Sequence, residues 1–364
     1  MRLLGKQEIE DIALGSTLLG SGGGGDPYIG KLMAIQAIEE YGPITLLSPD
    51  EVPDDALVIS SCGFGAPTIL IEKPLGGQEA KNAFQMMEKH LGKKAFATFP
   101  IEAGGANSML PLVTAAQLGI PVVDADGMGR AFPKLEMTSF FLDGLSATPM
   151  VLVDERGNTT LIDTIDNMWA ERIARSVTIP KGGAVGCALH SMTGKNLKDS
   201  GILNVLTYAE EIGRAARLAR EGNTDPVGEI LKVTNGFELF RGKVIDVNRR
   251  TEGGWAVGTA KIEGITKNKG QVLKLSIQNE HLMAKVDNRL LCVTPDLISV
   301  IDAETGLTIT TEGIRYGMRV VIVGIPCHPK WRTAKGIEIS GPGHLGFDDE
   351  YTPVEELMMG VNVK

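Results

Sequence analysis

Three short polar segments in the first 130 residues carry side chains that could do acid–base or nucleophilic chemistry. Each follows an apolar stretch typical of a β-strand. The segments are residues 61–63, 102–108 and 124–130. In α/β proteins, ligands bind beyond the carboxyl ends of the strands, where loops are held by a rigid sheet. We therefore expect the three segments to converge on one pocket.

Glu102 and Asp126 are the candidate catalytic carboxylates, and Asp124 is a candidate substrate-binding residue. Acidic groups crowded in a cleft raise one another's pKa, so one of them could take a proton from water near neutral pH. The alternative interpretation is structural. In it, Asp124 and Asp126 cap a helix and Glu102 is solvated. The sequence leaves both interpretations open.

Three further residues have both a chemical and a structural interpretation. Cys62 is a candidate catalytic nucleophile, or a buried structural thiol. Asn107 is a candidate catalytic residue that could stabilise an oxyanion together with backbone N–H groups, or a cap for the helix that begins near Met109. Arg130 could bind a substrate carbonyl or carboxylate through its planar guanidinium, or form an internal salt bridge.

Glycine is the unusual component, with 45 residues in a chain of 364, well above the usual share of about 7%. The run at residues 20–27 is not a P-loop, because no strand precedes it and no Lys-Ser/Thr pair ends it. Asp26 would also repel a phosphate. We expect this run to let the backbone approach a neutral or positively charged ligand, or to pack against the neighbouring domain. The candidate substrate-binding glycines are Gly23, Gly24, Gly104 and Gly105.

Composition excludes several classes of protein. A net charge of −9 argues against a nucleic-acid partner, and no apolar run approaches the ~18 residues of a membrane span. Four cysteines lie far apart, which predicts free thiols in a reducing cytoplasm. The five histidines have no convincing metal-ligand spacing, so the metal question stays open, and we expect no cofactor.

The first half of the chain alternates helix and strand patterns, which predicts an α/β domain with a mostly parallel sheet. The predicted helices are 8–19, 78–91 and 109–118, and the predicted strands are 56–60, 94–99 and 120–123. From about residue 237 to 339, short β-rich runs between glycine and polar turns predict an antiparallel barrel or sandwich. We place the domains at 1–167, with the candidate site, and at 168–364, with one long helix and mainly antiparallel strands.

Four motifs of the chain resemble the S-methyl thiohydantoin desulfurase-like family. They are residues 20–27, 102–107, 124–133 and 341–354. The resemblance implies an α/β N-terminal domain and a β-rich C-terminal domain. It also implies hydrolysis at the sulfur-bearing carbon of a five-membered cyclic amide, and an association with hydantoinase and oxoprolinase proteins.

We therefore expect an enzyme, a hydrolase that adds water by general-base catalysis at a ring carbon of a hydantoin-like or S-methyl thiohydantoin substrate. The alternative is a non-catalytic protein that binds a small metabolite and acts as a regulatory partner of a hydantoinase- or oxoprolinase-type enzyme. A small-molecule substrate is the expected partner. A homo-oligomer and an association with hydantoinase-type proteins both stay open.

Overall fold

The structure, a computed structural model, describes residues 1–65, 69, 72–73, 75–253 and 255–360. Two eight-stranded sheets dominate it, with a two-stranded ribbon between elements of the first and second halves of the chain. The predicted fold class is confirmed, since an α/β unit is followed by a β-rich, antiparallel one.

The first sheet is mixed, with a parallel centre. Its spatial order is β1 (Arg2–Leu4), β2 (Ile44–Leu47), β5 (Val122–Val123), β4 (Ala97–Phe99), β3 (Leu57–Gly65), β9 (Ala184–Thr193), β7 (Met150–Val153) and β8 (Thr159–Ile162). Strands β2, β5, β4 and β3 run parallel, whereas β1, β9, β7 and β8 pair antiparallel with their neighbours. These parallel strands are almost fully buried, as is typical of the parallel part of an α/β sheet.

Eleven α-helices have both ends among the described residues, and these ends follow local sequence signals. They are α1 (Lys6–Leu19), α2 (Pro27–Tyr41), α3 (Glu79–Leu91), α4 (Leu110–Leu118), α5 (Ser139–Leu142), α6 (Asn167–Thr178), α7 (Gly194–Ser200), α8 (Val205–Glu221), α9 (Pro226–Thr234), α10 (Ala334–Ser340) and α11 (Val354–Met359). Asp26 caps α2 by accepting a 2.8 Å hydrogen bond from the N–H of Tyr28. Among the described helices, none is both long and apolar enough to cross a bilayer.

Helices α1 and α8 pack with their backbones in close contact. A Cβ at Gly15 would overlap the carbonyl oxygen of Ala209, and a Cβ at Gly213 would overlap that of Asp11. Beside this contact, Arg217 of α8 donates to the Asp11 carboxylate, with Nε 2.8 Å from Oδ1. The long helix of the second half is thus fixed to the first helix of the chain.

The second sheet is antiparallel throughout. Its order is β15 (Arg289–Val293), β14 (Glu280–Val286), β13 (Val272–Gln278), β12 (Trp255–Gly264), β11 (Phe237–Glu252), β18 (Arg319–Ile325), β16 (Leu297–Asp302) and β17 (Thr308–Ile309). Strand β13 has the expected alternation, in which Leu273, Leu275 and Ile277 are buried and Lys274 is exposed. These alternating side chains form a core of their own under the sheet.

The two halves of the chain are interwoven. Strand β9 lies past the domain boundary that we predicted at 167/168, yet it is placed inside the first sheet, between β3 and β7. Strand β10 (Ile202–Leu203) likewise pairs with β6 (Ala125–Asp126), which belongs to a candidate site segment. Segments of the second half therefore support the loops of the first sheet.

Candidate active site

A small cavity lies where the end of β3 and the loop after β4 meet the second sheet. Its volume is about 70 Å³, and it is partly open to solvent. The residues that line it include Cys62, Glu102, Asn107, Phe132, Arg175 and Glu280. Three of them, Cys62, Glu102 and Asn107, were predicted from the sequence to share a pocket.

The glycine run at residues 20–25 joins this cavity to the second sheet. The carbonyl of Ser21 accepts the N–H of His281 at 2.8 Å, and the carbonyl of Gly22 accepts the N–H of Thr311 at 2.9 Å. A Cβ at Gly22 would come within 2.8 Å of the Thr311 side chain. Glycine is required there because the backbone of the loop hydrogen-bonds directly to the backbone of the second unit.

The same run packs against the loop that follows β4. The N–H of Asn107 donates to Gly24, and that of Ala106 donates to Gly25, at 3.3 and 3.2 Å. Gly24 and Gly25 line the cavity. Gly104 and Gly105 lie behind it, where a Cβ at Gly105 would overlap the carbonyl oxygen of Gly25. These two glycines therefore allow loop-to-loop packing, and Gly23 makes room for a side chain described below.

Glu102 is a buried carboxylate that faces the cavity. It is 6% exposed, and its Oε1 accepts the Asn107 amide N–H at 2.7 Å while its Oε2 accepts the backbone N–H of Phe132 at 3.3 Å. The Asn107 side-chain oxygen in turn accepts the N–H of Gly63 at 2.8 Å, so this amide fixes the carboxylate to the end of β3. Burial raises the pKa of Glu102 to about 7.

Glu280 is a second buried carboxylate at the cavity, and sequence reasoning missed it. It begins β14, is 2% exposed, and its Oε2 has no hydrogen-bond partner among the described residues. A Cβ at Gly23 would overlap its Oε1, so that glycine provides the space for the carboxyl group. Burial raises its pKa well above the usual range, and the negative charge of Glu102 raises it further, whereas Arg130 lowers it.

Cys62 lines the cavity beside a second thiol. It lies on β3 directly opposite Cys187 of β9, and both cysteines are buried and free. Burial raises the pKa of the Cys187 thiol well above its usual value, and hydrogen bonding to Cys62 raises it further. Cys187 is therefore a neutral neighbour for Cys62 and not a base for it.

Arg130 is buried between the two units and does not line the cavity. Its Nη1 donates to the backbone carbonyls of Pro295 and Asp296 at 2.7 and 2.9 Å, and its guanidinium carbon lies 4.5 Å from the centre of the Phe132 ring. The sequence placed Arg130 in the pocket because its segment follows a strand. The long side chain instead reaches toward the second unit. Its Nε and Nη1 donate to backbone carbonyls, whereas its buried Nη2 has no hydrogen-bond partner among the described residues.

Asp124 and Asp126 also lie outside the cavity. Asp124 caps α8, since its Oδ1 accepts the N–H groups of Leu206 and Thr207 at 2.8 and 3.2 Å. Its structural interpretation thus holds. Asp126 is fully buried and turned toward backbone N–H groups, with Oδ2 2.6 Å from Ala103 N and Oδ1 2.7 Å from Gly129 N. Burial raises its pKa to about 8, and these N–H groups oppose the shift.

Replacing Asp126 by asparagine is expected to lower the free energy of unfolding by about 1–3 kcal/mol. Both carboxylate oxygens face backbone N–H groups, so the amide must turn its NH₂ toward one of them. Urea unfolding followed by circular dichroism measures the change. If Asp126→Asn is as stable as the wild type but loses turnover, Asp126 acts in the chemistry instead.

Trp331 supports the floor of the cavity from the C-terminal part of the chain. It is fully buried, its indole N–H donates to the Met128 carbonyl at 2.8 Å, and its ring meets Phe132 edge to face at 4.9 Å between centres. Met128 and Phe132 both line the cavity. The Trp331 side chain therefore contacts two of the residues that line the cavity.

Arg175 of α6 lies at the rim. Its guanidinium carbon is 4.6 Å from the centre of the Phe64 ring and 3.9 Å from that of Trp255, and it pairs with Glu171 at 2.6 Å. Residues of both sheets thus enclose the cavity.

Within the described residues, no group of three His, Cys, Asp or Glu side chains is arranged to hold a metal ion.

Two family models match the chain. The one described as S-Me-THD-like, N-terminal domain, matches residues 7–164, and the one described as S-Me-THD-like, C-terminal domain, matches residues 165–354. Among solved structures, the chain is similar to an X-ray structure of a protein from Chromobacterium violaceum. The TM-score is 0.81 at 21% identity, with 97% of this chain and 100% of the other covered, which shows a shared fold. No curated protein matches the sequence.

Proposed function

Because the chain belongs to the S-Me-THD-like family, we propose that it is a hydrolase of an S-methyl thiohydantoin or a related hydantoin-like cyclic amide. The observation that carries the proposal is Glu102, a buried carboxylate that faces a small cavity and has a pKa of about 7. A general base works best when its pKa is near the operating pH.

In the proposed reaction, the oxygen of a water molecule bonds to the ring carbon that carries sulfur. Glu102 takes a proton from this water, and the electron pair of the ring C=N bond moves to the ring nitrogen. Glu102 then returns that proton to the nitrogen. The result is a tetrahedral carbon that bears a hydroxyl and the methylthio group.

Asn107 supports this step by orienting the base, because its amide joins the Glu102 carboxylate to the N–H of Gly63. Glu102 is favoured over Asp126 as the base, since Glu102 lines the cavity and the oxygens of Asp126 are turned to backbone N–H groups. The charge-stabilising role of Asn107 and the substrate-binding role of Arg130 stay predictions.

Cys62 is the alternative nucleophile, because it lines the same cavity. If its sulfur attacks the ring carbon, the protein gains a covalent adduct during turnover. Intact-protein mass spectrometry of samples quenched during the reaction distinguishes the two routes. We expect no adduct when water is the nucleophile.

The purified protein, with no partner present, is expected to release methanethiol from an S-methyl thiohydantoin, as followed with a thiol reagent. Its kcat/KM should rise with pH about a midpoint near 7, because Glu102 must be ionised to take a proton and burial has raised its pKa to about 7. Binding of the thiohydantoin without release of thiol contradicts the hydrolase proposal and favours a metabolite-binding partner of another enzyme.

A further inference from the structure

We propose that Glu280 is the proton donor to the leaving sulfur, so that the base and the acid of one reaction come from two different sheets. The inference rests on the proposed function, because it assigns a second catalytic residue to the same site. Nothing in the local sequence around Glu280 marks it for this role.

The position of Glu280 is that of a group that can exchange a proton with a bound molecule. It lines the same cavity as Glu102 and is 2% exposed. Its Oε2 has no hydrogen-bond partner within the described residues. A buried carboxylate oxygen without a donor makes the ionised form costly, whereas the neutral acid costs much less. We therefore expect Glu280 to be protonated in the unliganded protein, with Oε2 available to donate that proton.

The two carboxylates differ in how they are supported. Glu102 receives the Asn107 amide N–H and the backbone N–H of Phe132, both of which stabilise a negative charge. Glu280 has no such donor on Oε2 and is repelled by Glu102. Two neighbouring buried carboxylates resist double ionisation, so one of them keeps its proton. The hydrogen bonds assign the charge to Glu102 and the proton to Glu280.

Other charged groups near Glu280 do not reverse this order. Arg130 favours the ionised form of Glu280, but its Nε and Nη1 donate to backbone carbonyls, and its Nη2 makes no hydrogen bond to Glu280. Glu312 adds a further repulsive interaction. Burial, Glu102 and Glu312 therefore favour the protonated form of Glu280, and among these charged neighbours only Arg130 favours its ionised form.

The step completes the reaction that Glu102 begins. The C–S bond of the tetrahedral carbon breaks, its electron pair leaves with sulfur, and Glu280 gives its proton to that sulfur to form methanethiol. The hydroxyl on the same carbon becomes the carbonyl and returns its proton to Glu280. One water is consumed, and both carboxyl groups regain their starting states.

The test compares two small leaving groups in the wild type and in Glu280→Gln. The substrates are the S-methyl thiohydantoin and its S-(2,2,2-trifluoroethyl) analogue, whose thiolate leaves more readily without a proton. For the S-methyl substrate, we expect Glu280→Gln to lower kcat/KM by about 10²–10⁴-fold. The loss should be much smaller for the trifluoroethyl substrate, because it depends less on a general acid.

Glu88→Gln is the control. Glu88 is also a buried carboxyl, but it lies on α3 and does not line the cavity. It should keep near-wild-type kcat/KM for both substrates. If Glu280→Gln lowers kcat/KM equally for the two substrates, the assignment of Glu280 as proton donor is wrong, but the hydrolase proposal is not affected. No release of thiol from either substrate by the wild type overturns the hydrolase proposal itself.

The wild type alone provides a second measurement that does not depend on the folding of a variant. With an acid in place, its kcat/KM should differ little between the two leaving groups. A steep preference for the trifluoroethyl substrate in the wild type contradicts a proton donor at the sulfur. Glu280→Asp, which keeps a carboxyl group, should recover part of the lost activity on the S-methyl substrate.

Discussion

Glu102→Gln is expected to lower kcat/KM for thiohydantoin hydrolysis by about 10²–10⁴-fold, the usual contribution of a general base. Glutamine keeps the shape of the side chain, and its carbonyl oxygen can still accept the Asn107 amide N–H. It cannot take a proton from water. The change should therefore appear in turnover, measured by thiol release, with little change in the unfolding midpoint.

Glu88→Gln is the control for this substitution. Glu88 is also a buried carboxylate, 8% exposed, and it accepts the N–H of Ala95 at 2.9 Å on α3 without lining the cavity. Its amide variant should turn over like the wild type. Near-normal turnover in Glu102→Gln would move the role of base to another group, and Asp126→Asn and mass spectrometry of Cys62 would then decide between the two remaining candidates.

Trp331→Ala is expected to cost about 3–5 kcal/mol of unfolding free energy. The side chain is fully buried and fills the space below Met128 and Phe132, and its removal also leaves the Met128 carbonyl without its indole donor. Chemical unfolding followed by circular dichroism and by thiol release would measure stability and activity together.

Two variants show which part of Trp331 matters. Trp331→Phe keeps most of the volume but loses the N–H bond, so we expect a loss of about 1 kcal/mol. Trp169→Ala removes a half-exposed indole on α6 and should change stability by much less. If Trp331→Ala is no less stable than Trp169→Ala, the packing beneath the cavity contributes little to the fold.

Part of the candidate site could be predicted because it depends on neighbouring parallel strands. Cys62 lies on β3, and Glu102 and Asn107 follow β4, which pairs with β3 in parallel, so the ends of the two strands meet. The alternation of strands and helices along the sequence is enough to predict that these two strand ends are neighbours. The convergence of the three residues on one cavity follows from it.

The rest of the site depends on contacts that local patterns do not encode. Asp124 and Asp126 turn away from the cavity because the chain there pairs with β10 and caps α8. Glu280 reaches the cavity from the second sheet, so only the packing of the two units reveals it. One signal was available in the glycine run, since Gly23 is small where the Glu280 side chain must pass.

The position of β9 within the first sheet has a consequence for synthesis on the ribosome. Strand β3 ends at Gly65, but its antiparallel partner β9 begins only at Ala184. Synthesis proceeds at about 5–20 residues per second, so β3 emerges roughly 6–24 s before β9, the strand that joins it to β7. Strand β7 emerges a few seconds before β9. During that interval their unpaired edges are open to other chains. The nascent protein is therefore most prone to aggregation just before residues 184–193 leave the exit tunnel.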